Sequence, residues 1–237
     1  MKLKFMSLLV LSIIANFAVA APVWLAQTLE FKEGRSDEFV EGLNTFMGSK
    51  LGKKAPGQVA LNWVSVNGAN AATHGMVMNF PSMAAYQEWN QLFWLDSKYE
   101  AERLKWVSVF RSTVEHSNER MMTSIKTWGN SSADYRYIEW VPFNSDRLDL
   151  ISAAMDKFLS SADGKKFKGR VNLAQCLFCG EGESNGAIAV MYRDMAEMDD
   201  WRAIYSASED FSEWAASVNA VASFPGNSLI VNLQRFD

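Results

Sequence analysis

The chain has 237 residues, with 23 Lys and Arg against 27 Asp and Glu, a net charge of −4. Its basic residues are scattered apart from two Lys-Lys pairs, so no basic face suited to nucleic acid or anionic lipid is expected. The length exceeds one small folding unit and suits two units of roughly 100 residues.

Met1-Lys2-Leu3-Lys4 carries two positive charges, Phe5 to Val19 is an almost unbroken apolar run, and Ala18-Val19-Ala20 supplies the small residues a signal peptidase accepts. This predicts an export signal over residues 1–20, cut after Ala20. The run is shorter than the ~20 apolar residues of a membrane-spanning helix, and no cysteine at the cut offers a lipid anchor. The mature protein is expected to be soluble, periplasmic or secreted, with no segment inserted in a membrane.

Sliding the chain against itself by 112 residues aligns Phe31–Trp89 with Phe143–Trp201 without a gap. Identical pairs include Phe31/Phe143, Phe46/Phe158, Ser49/Ser161, Gly52/Gly164, Val59/Val171, Gly68/Gly180 and Trp89/Trp201. Two copies of one unit are therefore expected, residues 21–128 and 135–237, joined by a small polar linker over 129–134.

Each copy opens on a short aromatic and branched stretch read as a strand, Trp24 to Phe31 and Tyr135 to Phe143. A helix follows, with Phe39, Leu43, Phe46 and Met47 on one stripe and Ile151, Met155, Phe158 and Leu159 on its copy. Ser145 or Asp146 is expected to cap the second of these helices, and Gly52 and Gly164 to end the two in a left-handed turn. Val59 to Val66 and Gly75 to Phe80 read as a hairpin, as do Val171 to Phe178 and Ala187 to Tyr192. Ser82 and Asp194 cap second helices. The first of these breaks near Phe93 to Asp96 and resumes through Tyr99, Trp106 and Phe110. A last strand closes each unit. The order is βαββαβ, a ferredoxin-like unit in an α+β chain.

On this order, and on Met83-Ala84-Ala85-Tyr86-Gln87-Glu88-Trp89 with Ser97-Lys98-Tyr99-Glu100-Ala101 and their echoes, the chain resembles the dimeric α/β-barrel superfamily. That superfamily includes antibiotic-biosynthesis-type monooxygenases, haem-degrading enzymes, stress-responsive barrel proteins and, in two-repeat form, the chlorite dismutase group. The resemblance implies tandem ferredoxin-like repeats closing an intramolecular α/β barrel whose interior holds the ligand. Haem-degrading members carry a histidine one helical turn after the aromatic matched by Tyr99; here Arg103 and, in the second copy, Ala215 stand there.

Candidate chemistry is sparse. His74 opens a strand where the other copy has Gly186, and reads either as a general base or haem contact, or as an ordinary hydrogen-bonded imidazole. His116, in Val114-Glu115-His116-Ser117-Asn118 and expected just ahead of the last strand, is a weaker candidate of the same kind. Gln27 and its counterpart Glu139 sit mid-strand among apolar neighbours, where a carboxylate would act in proton transfer if buried and as a plain surface group if not. Trp24, Trp63, Tyr137 and Trp140 lie on strands and are candidates to line a ligand cavity. Cys176 and Cys179 form a disulfide only if the strand bends, since residues i and i+3 of a straight strand lie ~10 Å apart. No histidine or cysteine set has metal-ligand spacing.

The sequence thus points to an exported barrel protein that encloses a small apolar or aromatic molecule between its two sheets, with no nucleic-acid partner and no particular cofactor indicated. A monooxygenase-like or haem-linked oxidoreductase using His74, Glu139 or Arg103 is the first alternative. A non-catalytic assembly protein is the second.

Overall fold

The computed structural model describes residues 21–68, 71–129, 135–180 and 183–236; the expected export signal and most of the expected linker lie outside these. Its elements are β1 (Val23–Phe31), α1 (Ser36–Met47), β2 (Val59–Val66), β3 (His74–Phe80), α2 (Met83–Leu95), α3 (Glu100–Thr113) and β4 (Val114–Gly129). The second half runs β5 (Tyr137–Phe143), α4 (Leu148–Ser160), β6 (Arg170–Cys179), β7 (Gly186–Tyr192), α5 (Met195–Ser206), α6 (Glu209–Asn219) and β8 (Ser228–Phe236).

The eight strands close into one antiparallel barrel in the order β1-β3-β2-β8-β5-β7-β6-β4. Each half contributes four consecutive strands, ordered β4-β1-β3-β2 and β8-β5-β7-β6. The halves meet at two seams, β2 against β8 and β4 against β6.

Both seams are bulged at matching places. Ser65 in β2 and Leu177 in β6 are each skipped by the pairing, as are Leu233 in β8 and Ile125 in β4. Ser65 and Leu177 are 112 residues apart, the spacing of the repeat itself. Inside the barrel Asn232 donates to Asn62 at 3.0 Å across one seam, and Thr127 to Asn172 at 3.1 Å across the other.

The helices cover the outside. Phe39, Leu43 and Phe46 of α1, and Ile151, Met155 and Phe158 of α4, recur at helical spacing and are buried. They pack with the outward residues of the strands, such as Leu29, Leu61 and Phe80 in the first half and Phe143, Leu173 and Tyr192 in the second. Burying each such side chain contributes about 1.5–3 kcal/mol. The core is therefore two helix-on-sheet layers. Between the sheets lies a smaller cluster of Met122, Ala174 and Ala187 with Trp24 and Trp140 against it.

Ser82 and Asp194 cap α2 and α5, accepting from Ala85 N at 3.1 Å and Glu197 N at 2.8 Å. The break after α2 is a 3-10 turn over Ser97–Tyr99. Three local expectations need correction. The N-cap of α4 is Arg147, and Ser145 Oγ instead accepts from the Arg147 N–H at 3.0 Å, so neither Ser145 nor Asp146 caps the helix. Gly52 and Gly164 open 3-10 turns rather than ending α1 and α4, and neither has a positive φ. Glycine is required there by crowding: a Cβ would stand 2.1 Å from Phe46 O and 2.0 Å from Phe158 O. Finally, β4 begins at Val114, so His116 lies within the strand.

Candidate functional site

Strand pairing fixes which side chains face the helices. Leu25 pairs with Met78 and Met121, and Gln27 with Met76 and Glu119, so these residues point outward together. Above them α2 and α3 bring Trp89, Phe93, Trp106 and Phe110. The space left between is a cavity of about 370 Å³.

Its body is apolar, walled by those aromatics with Leu43, Phe46, Val59, Met76 and Met78. Its polar groups are few: Gln27, Asn90, Arg111, Ser117 and Glu119. Gln27 is only 6 % exposed, and its Nε2 donates to Glu119 Oε1 at 2.5 Å. Glu119, Ser117 and Arg111 are exposed, so the junction of α3 and β4 forms one part of the rim, and the exposed Trp94 of α2 forms another. No described ion pair occupies either the Glu119 carboxylate or the Arg111 guanidinium.

The second half has the same compartment in reduced form, about 120 Å³. Nine wall positions correspond at the repeat spacing, among them Gln27/Glu139, Phe46/Phe158, Trp89/Trp201 and Phe93/Tyr205. Trp214, standing where the first half has Glu102, fills this space together with Phe211 and the larger Tyr192 and Tyr205. Glu139 is held there by Asn227 Nδ2 at 3.0 Å, with Tyr192 OH at 3.5 Å and Arg202 at 3.7 Å. Burial, and then the Glu139 carboxylate, push the Tyr192 hydroxyl far above the usual phenol range. Tyr205 is raised by the same two causes.

The residues singled out from sequence are not gathered in one place. Gln27 lines the larger cavity and Glu139 the smaller. Tyr137 packs in the second helix-on-sheet core. Trp24 and Trp140 face the barrel interior, and Trp63 is 44 % exposed on the outer face opposite His74. His74 packs tilted against Phe31, with ring centroids 4.8 Å apart, and shares a hydrogen bond with Thr73 Oγ1 at 2.9 Å, and burial lowers its pKa. Arg103 donates to Phe93 O at 2.9 Å, securing the turn between α2 and α3. His74, Glu139 and Arg103 thus belong to three separate environments. The two matching spaces also lie between sheet and helices, outside the barrel.

Cys176 and Cys179 are joined in a disulfide with Cα atoms 5.9 Å apart. The bulge at Leu177 accomplishes this. It returns both cysteines to the same face of β6, opposite Met122 and Arg120, and places Phe178 on the other, opposite Met121.

Sequence reasoning missed Glu119, Arg111 and the aromatic wall from α2 and α3. The available signal was strand parity, since Ser117, Glu119, Met121 and Thr123 share the face of Leu25 and Gln27.

No family profile matches the sequence, and no curated protein matches it. Solved structures do match. A monooxygenase-like protein of Fusobacterium nucleatum superposes with a TM-score of 0.63 at 10% identity, over 92% of this chain and 95% of that one. An anthrone oxidase-like protein gives 0.60 at 10% identity, over 91% and 92%. The chlorite dismutase of Candidatus Nitrospira defluvii gives 0.52 at 11% identity, over 91% and 92%. The chain has the dimeric α/β-barrel fold of these proteins. At such identities the likeness establishes architecture and leaves chemistry to the site.

A histidine-ligated haem does not fit the residues present. Neither histidine lines either of these two spaces, and the smaller one, packed with Tyr192, Tyr205 and Trp214, is far below porphyrin size. Among the described residues no group of three His, Cys, Asp or Glu is placed to hold a metal ion.

Proposed function

We propose that the protein binds one flat, largely apolar or aromatic small molecule in the cavity of its first half. The carrying observation is the space itself: about 370 Å³, largely aromatic and aliphatic, with few polar groups. That volume lies within the roughly 300–1,000 Å³ usual for ligand pockets, and the arrangement of a greasy body with few polar anchors is the usual one. The site differs from the place expected from the resemblance, between the two sheets, because the interior carries Trp24, Trp140 and Met122 while the helix side is left underfilled.

The proposal includes an origin by tandem duplication of a ferredoxin-like unit, supported by the repeated strand order and the paired bulges. It also includes export, which rests on the N-terminal signal alone. Duplication gives two compartments, and aromatic infilling of the second leaves one working site.

Native mass spectrometry of the protein purified from its own host, with titration of the apolar dye phenylnaphthylamine, tests the reading. A retained small-molecule mass or one-to-one dye binding is expected. Absence of both overturns it.

A second reading, oxygenation of the bound molecule, is favoured by the Gln27–Glu119 pair, which sets a carboxylate able to accept a proton beside the apolar chamber. Oxygen uptake with quinol-like substrates, lost in Glu119→Gln, would support it over binding alone.

A further inference from the structure

The rim of the first cavity borders a strand from the other half. β6 runs beside β4, and its Phe178 pairs with Met121 on the outward face that also carries Glu119. Directly paired residues lie about 5 Å apart and diagonal ones about 7–8 Å, within reach of a phenyl ring. Phe178 is nonetheless 64 % exposed. A large ring left in water one strand away from the Glu119 side of an apolar chamber can find its complement in a molecule that extends out of it.

The bulge decides this placement. On an unbulged β6, Cys176 and Phe178 would point to the same side; skipping Leu177 sends Cys176 inward and Phe178 outward. The other seam has the same bulge at Ser65, with Val66 in the place of Phe178 and Val64 and Asn67 in the places of the cysteines. Bulging is thus common to both halves, while the disulfide and the aromatic ring occur together in one. That one pairs with β4, the strand that brings Glu119 to the open cavity, and the unstapled bulge with its small valine pairs with β8.

Resting on the cavity reading above, we propose that Phe178 is a specificity-determining residue of the first cavity, supplied by the opposite half and held over the rim by the Cys176–Cys179 disulfide. It covers the outer end of a ligand too long for the chamber. Short ligands lying wholly inside do not reach it.

Dye titrations on the purified protein test this, using phenylnaphthylamine as the long probe and naphthalene as the short one. Phe178→Ala is expected to weaken the long probe by about tenfold, the order of one lost apolar ring contact, and to leave the short one unchanged. Reducing the disulfide should weaken the long probe in the wild type and have no further effect in Phe178→Ala. Phe178→Leu, which keeps apolar bulk, should fall between. Equal long-probe affinity in wild type and Phe178→Ala, or an equal effect of reduction on both, overturns the inference while leaving the cavity reading intact. A wild type that binds neither probe overturns both.

Discussion

Gln27 on β1 donates its side-chain amide to the Glu119 carboxylate on β4 at 2.5 Å, so a buried amide and an exposed acid are joined at the cavity. Replacing Gln27 with Leu removes the donor without emptying the site. A loss of about 0.5–1.5 kcal/mol is expected from urea unfolding, the usual worth of one such bond. Binding should change in kind as well: naphthol should lose its advantage over naphthalene, because the polar end no longer holds Glu119 in place.

Crowding at the two repeat glycines predicts a pair of matched defects. Gly52→Ala and Gly164→Ala each drive a methyl into a backbone carbonyl, with Cβ 2.1 Å from Phe46 O and 2.0 Å from Phe158 O. Each should cost about 1–3 kcal/mol, as overpacking does. Gly180→Ala, which meets nothing within 4 Å, is the control and should unfold at nearly the wild-type denaturant midpoint.

His74 gives a pH signature. Burial holds its imidazole below the ordinary value of 6.5, so the unfolded chain takes up this proton more readily than the folded one. Stability therefore falls as pH drops below 6.5 toward the folded value. Denaturant midpoints compared between pH 7 and 5 should decline more steeply for the wild type than for His74→Gln; parallel lines would refute the assignment.

Trp214 is the plug of the smaller compartment. Trp214→Ala should destabilise the protein by about 3 kcal/mol, within the range for truncating a packed tryptophan. It should also raise dye stoichiometry from one toward two, since the enlarged space inherits the same wall as the first. Calorimetric titration reads both sites directly.

Much of this fold can be read from sequence, because its determinants are local or repeated. The 112-residue register, the helix stripes through Phe39 and Ile151, and the caps at Ser82 and Asp194 each depend on spacing along the chain. The site is harder to read. β1 is covered on both faces, so Trp24 and Gln27 are equally plausible as cavity residues until pairing with β3 and β4 assigns their sides. Bulges defeat parity altogether: one skipped residue at Leu177 separates the facing of Cys176 from that of Phe178, and nothing in the residue types announces it. Arg103 shows how a candidate's structural contacts also escape the sequence. Its guanidinium fastens a helix turn through Phe93 O, a contact ten residues back along the chain that no spacing rule announces.

The two seams give the barrel a dependence that neither half escapes. A half made alone would expose β2 and β4, or β6 and β8, as bare strand margins, each with unpaired peptide groups inviting the wrong neighbour. Fragment complementation should therefore succeed where solitary expression fails, and the covalent join mainly ensures that unlike halves find one another before like ones do. An asymmetric molecule is thereby kept from pairing like half with like.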